Sequence, residues 1–272
     1  MVDLDRLTLY RAPSTAADAD ALAAWLETRV GSGIGTDVGV RERFVDRTDG
    51  DDLAREFARA RVLSPYERDT GSEMTGIVRY EQRALATPER AGGVIYDGLA
   101  VQRALGARIP GKERRPGHCH VILTGRVLGT WGDHDGRWHK RVNVLGRPAL
   151  VSVPGLYEAP AKPEAYYHAK QSHALLTGDA PPREVLEEEV EGEFLVAADP
   201  RTTEALRGYV LQAVHYLTTG EPFCDDDRCR LANPHRQPGV VRAQLRAPEF
   251  CDRHAQRYGT VGTGSAPTPN EQ

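Results

Sequence analysis

Apolar residues recur along the chain with two periods. Leu7 to Arg11 reads as a short opening strand that Pro13 closes. Thr15 and Asp18 form a helix-start signature, and Leu22, Trp25, Leu26 and Val30 then share one helical face before Gly31 and Gly33. Val38, Val40 and Phe44 alternate as in a half-buried strand, and Leu53, Phe57 and Ala60 return to helical spacing. This β-α-β-α order predicts an α/β fold, a mixed sheet with helices packed on it. Residues 64–93 read as irregular, with one strand at Ile77 to Tyr80, and Leu99 to Ile109 reads as a helix. His118 to Thr124 is a dense apolar run of strand length. Val127 to Trp131 and Trp138 to Leu145 flank a hairpin loop, and Ala149 to Val153 is a further buried strand. The prolines from Pro154 to Pro163 mark a turn-rich connection, and Tyr166 to Leu176 reads as helical.

The best-defined element spans 200–219. Asp199 is placed to cap it, Pro200 fits its first position and Gly220 its C′ position. Leu206, Val210, Ala213, Val214 and Leu217 form one apolar stripe, with His215 on the opposite side of the wheel. One domain over residues 1–257 is expected, with a compact C-terminal knuckle at 220–257. The small, polar residues 258–272 are expected to form a disordered tail.

Composition adds exclusions. The chain has 272 residues and a net charge of −4 from 35 basic and 39 acidic side chains, a balance that argues against a nucleic-acid partner. No stretch has the roughly 18 apolar residues of a membrane span, and the N-terminus lacks a signal-peptide core, so a cytoplasmic protein without a membrane partner is expected. Cysteines in that compartment are reduced or metal-bound. The run Glu187, Glu188, Glu189, Glu191 and Glu193 reads as solvated surface.

Three of the four cysteines fall between 224 and 251. Cys224-x4-Cys229 and Cys251-x2-His254 supply two ligand pairs of the types zinc prefers, and three sulfurs with one nitrogen complete a closed, structural tetrahedron. One zinc per chain is expected there, with no partner named by the sequence. Asp225, Asp226 and Asp227 either support those ligands or solvate the turn. Cys119, on a strand, reads as a small core residue.

A long helix, then Gly220, then Cys224-x4-Cys229 and a distant Cys251-x2-His254 resembles the C-terminal part of the archaemetzincins, zincin-fold metallopeptidases. In that family the helix carries His-Glu-x-x-His-x-x-Gly-x-x-His for a catalytic zinc, and four cysteines hold a structural one. With Gly220 and Cys224 in register, Ala213 and Leu217 stand at the first two histidine positions, Val214 at the glutamate and Phe223 at the third histidine. Leu231 takes a methionine position, and His254 replaces the last cysteine. The resemblance covers about 60 C-terminal residues and implies a zincin-like fold that keeps the structural zinc and lacks the peptidase centre, a pseudoenzyme with no catalytic residues. The alternative is an active metal-dependent hydrolase that uses His118, His120 and His139. Two histidines two apart on a strand share a face, and a third could complete a three-imidazole site; ordinary hydrogen-bonded histidines are the competing reading. Two basic stretches, GKERRPG at 111–117 and Arg137 to Arg141, read as a solvated connector and a solvated strand face, although the second could bind an anion. His168 with His173, and His215 and His235 beside the knuckle, are weaker candidates still.

Overall fold

The computed structural model describes residues 3–13, 16–31, 35–47, 50–87, 93–190 and 193–259. Thr15, Gly33, Glu191 and the tail from 260 onward lie outside the described residues. The architecture is a mixed α/β arrangement. Strands β1 (Arg6–Tyr10), β2 (Asp37–Arg41), β4 (His118–Thr124), β7 (Asn143–Val144) and β8 (Ala149–Ser152) form one sheet in the order β2-β1-β4-β8-β7. The first four in that order run parallel, and β7 closes the edge antiparallel to β8. Strands β3 (Ile95–Asp97), β5 (Val127–Gly132) and β6 (Arg137–Arg141) form a second, smaller sheet.

Central strands of a parallel sheet are covered on both faces, and HCHVILT is accordingly buried almost throughout. Cys119, Val121 and Leu123 face one layer, built by α1 (Ala19–Leu26) and α8 (Thr202–Thr219); Leu22, Leu26, Leu206, Val210, Ala213 and Val214 belong to the same buried cluster. Ile122 faces the other, where α2 (Gly50–Arg59) and α4 (Gly98–Ala107) supply Leu53, Phe57, Val101 and Leu105. Local capping agrees with this layout. Asp18 accepts hydrogen bonds from the amides of Asp20 and Ala21, and Asp97 from those of Leu99 and Ala100, closing the open amides of α1 and α4.

Four expectations are corrected. Ile77 to Tyr80 is not a strand; it lies inside helix α3 (Thr75–Ala86). The buried face of that helix is Val78, Glu81 and Ala84, and a glutamate in it hides the helical period. Phe44 is buried, yet it opens a 3-10 turn (Phe44–Arg47) after β2 has ended. Trp138 to Leu145 is two strands, because the chain leaves the second sheet after Arg141 and joins the edge of the first at Asn143. The long helix begins at Thr202; Asp199 instead closes the preceding turn by accepting from the Arg201 amide at 2.9 Å.

Among the described residues the remaining α-helices are the single turn α5 (Gly155–Glu158), α6 (Glu164–Thr177), α7 (Arg183–Glu189), α9 (Gln237–Leu245) and α10 (Asp252–Tyr258). α9 packs on α8, and the last residue of α10, Tyr258, is fully buried. His215 is therefore covered rather than exposed, with its Nδ1 at 3.0 Å from the Tyr258 hydroxyl. No helix among the described residues is long and apolar enough to cross a membrane.

Candidate metal centre

Helix α8 ends where Gly220 takes a left-handed conformation (φ 82°), a backbone state that glycine enters without steric cost, and its N–H donates to the Tyr216 carbonyl at 2.8 Å. The chain then reverses into a tight loop. The amide of Cys224 donates to the Leu231 carbonyl, and that of Ala232 to the Cys229 carbonyl, so both cysteines sit on one small clasp. The Asp226 amide donates to Cys224 Sγ at 3.4 Å, while the Asp226 carboxylate accepts from the Arg228 amide and Asp227 pairs with Arg242. Two of the three aspartates thus shape the loop. Cys251 occupies the N-cap position of α10, and His254 lies in that helix's first turn.

These segments bring Cys224, Cys229, Cys251 and His254 together, with one donor atom from each within 4.8 Å of every other. Cys224 Sγ lies 3.8 Å from Cys251 Sγ, and Cys229 Sγ lies 3.6 Å from His254 Nδ1. Cys251 Sγ and His254 Nδ1 are 3.2 Å apart. A disulfide needs sulfurs about 2.05 Å apart, so this is no bridge. Tetrahedral zinc with Zn–S of about 2.3 Å and Zn–N of about 2.0 Å sets S···S edges near 3.8 Å and S···N edges near 3.5 Å. The residues present fit that ion in kind, in number and in spacing.

The electrostatics agree. Burial pushes the Cys229 thiol up to about 12 and also raises Cys224, so thiolates in this clasp need a neighbouring cation. Burial lowers His254, which favours the neutral imidazole that can act as a ligand. Its ring meets that of His215 edge-on at 5.0 Å. Cys229 and His254 are buried, whereas Cys224 and Cys251 are half-buried.

The alternative trio does not assemble. His118 and His120 stack with ring centroids 3.9 Å apart at the start of β4, but the carboxylate beside them is Glu113. His139 is on β6 of the other sheet, where it groups with His134 and Asp135. Glu113, His134 and Asp135 were beyond sequence reasoning, because loop closure and hairpin pairing bring them in. Cys119 is wholly buried in the core, its thiol pushed up to about 12. The basic stretch 137–141 is largely neutralised or bonded: Arg137 pairs with Asp135, Lys140 with Glu158, and Arg141 donates to Thr130. His173 pairs with Glu189, and Glu187 reaches the buried Lys162 ammonium at 3.1 Å, so the acidic run is not wholly solvated.

On α8, Ala213 and Val214 are buried, and Leu217 packs half-buried against the same cluster. Phe223 follows in the loop, half-buried. Among the described residues, no group of metal-ligating side chains includes a residue of α8.

Residues 8–257 match the family described as "Family of unknown function (DUF7001)", and the chain belongs to that family. No curated protein matches it. Among solved structures, archaemetzincin from Methanopyrus kandleri aligns over 93% of each chain with 14% identity and a TM-score of 0.45.

Proposed function

We propose that the chain is a zinc-binding protein holding one structural zinc ion through Cys224, Cys229, Cys251 and His254, on a zincin-like fold without the peptidase centre. The observation that carries this reading is the convergence of three sulfurs and one imidazole nitrogen, from the loop after α8 and the start of α10, at tetrahedral spacing. Bound there, the ion would neutralise the thiolates and tie the end of α8 to the start of α10. Four protein ligands leave no coordination position for an activated water. The apolar side chains at 213, 214, 217 and 223 offer neither a ligand nor a general base. On this reading the chain serves as a binding or regulatory module. Metal analysis of the purified chain should find one zinc per molecule, and Cys251→Ser should lower that content. Zinc-free protein whose four cysteines all alkylate freely would overturn the proposal.

A further inference from the structure

The basic loop before β4 plays no part in the Cys/His centre. Its 3-10 turn (Gly111–Glu113) and the following residues fold against the start of β4 and line an open cleft of about 310 Å³. That volume is at the lower end of small-molecule sites. His118 and His120, each 4% exposed, line it together with Arg114, Arg115, Arg147 and Glu113.

The hydrogen-bond network decides which way the imidazoles face chemically. His118 Nε2 lies 2.8 Å from the Thr8 hydroxyl; with that hydroxyl donating, the proton sits on Nδ1. The Tyr10 hydroxyl accepts from Arg41 and donates to His120 Nδ1 at 3.1 Å, leaving the proton on Nε2, 3.3 Å from the Glu113 carbonyl. In this arrangement neither ring offers its lone pair to a cation. His118 Nδ1–H has no protein acceptor among the described residues.

Charge points the same way. Arg41 grips the Glu113 carboxylate with both nitrogens, at 2.7 and 3.2 Å, and Asp5 holds Arg115 at 2.7 and 2.8 Å. Arg147 donates only to the neutral carbonyls of Arg115 and Pro116. Arg114 has no carboxylate partner among the described residues. Two guanidinium charges thus remain uncompensated around donors that have no acceptor. A divalent cation would have to displace Arg41 and sit against that surplus, although Glu113, His118 and His120 are close enough to group. A phosphate group carries about −1.5 to −2 charges at pH 7 and takes guanidinium donors in a forked geometry.

We propose that this cleft binds a phosphate group, as inorganic phosphate or as a small phosphate monoester, through Arg114, Arg147 and His118 Nδ1–H. Inorganic phosphate, phenyl phosphate and acetate would each be titrated calorimetrically into the full chain near neutral pH. One phosphate or phenyl phosphate per chain is expected. Arg114→Gln should weaken that binding about tenfold or more, the loss of one charge-assisted contact. The unfolding midpoint of this variant without phosphate should stay put, because the side chain pairs with no carboxylate among the described residues. Tighter phenyl phosphate identifies an esterified ligand, and tighter inorganic phosphate identifies the free ion; either supports the site. The proposal is overturned if neither phosphate binds, if acetate binds equally well, or if Arg114→Gln leaves affinity unchanged. A second stoichiometric cobalt ion that disappears in His120→Ala would equally overturn it in favour of a cation.

Discussion

Cys229 and His254 are the two buried members of the cluster, and Cys229 packs among the apolar side chains of the core. Cys229→Ser should therefore cost more than a surface change. Metal content should fall well below one per chain, and the thermal midpoint should drop by roughly 5–10 °C, since each kcal/mol moves a domain of this size about 2–4 °C. Metal analysis and a calorimetric scan check both. His118 makes a different demand. Burial, then the neighbouring His120, lowers it from 6.5 to about 4. The unfolded chain takes up that proton near pH 6.5, and the folded chain only near 4. Stability is thus unaffected by this group above about 6.5 and declines as pH falls through the window below. Urea midpoints across that window should decline with acid, and His118→Asn should flatten part of the decline. The cysteine set could be read from spacing alone, because Cys-x4-Cys and Cys-x2-His are local features. Glu113 could not, since only the fold of a 3-10 turn sets its carboxylate beside β4.

The helices show the same division at the scale of elements. The apolar stripe of α8 was visible, but its other side is buried as well. Gln212 bridges from Asn143 on β7 to the Ala232 carbonyl in the clasp loop, at 2.6 and 2.7 Å, and Gln244 of α9 donates to the Arg230 carbonyl at 3.0 Å. Buried polar residues held by such hydrogen bonds look like surface in a hydropathy pattern. Glu81 misled in the same manner: it is fully buried against the Tyr96 hydroxyl and Arg126, so α3 lost its visible period. Where α8 meets α9, Gly208 has no room for a methyl group. A Cβ there would stand 2.5 Å from the Arg230 carbonyl oxygen and would collide with the Gln244 side chain. Gly208→Ala should destabilise the protein by about 1–3 kcal/mol in urea titrations while leaving the metal content intact.

For the molecule as a whole, the proposed zinc divides the chain into a part that depends on metal and a part that does not. A strong chelator should raise amide hydrogen exchange across 224–258, while β1, β4 and β8 keep their protection inside two covered faces. Digests of a peptide library should show no metal-dependent cleavage that survives purification, since Ala213, Val214 and Leu217 on α8 offer neither a ligand nor a general base. The sheet order and the separation of the two sheets were beyond the sequence, because strand partners up to 112 positions apart meet only in the folded chain, as Arg6 and His118 do. The uneven burial of the four ligands has one more consequence. With Cys229 and His254 buried and Cys224 and Cys251 half-buried, the Cys224–Cys251 edge is the more exposed side of the clasp. A competing thiol or an oxidant would meet those two sulfurs first, so the proposed ion would be lost through that edge and not past the buried pair.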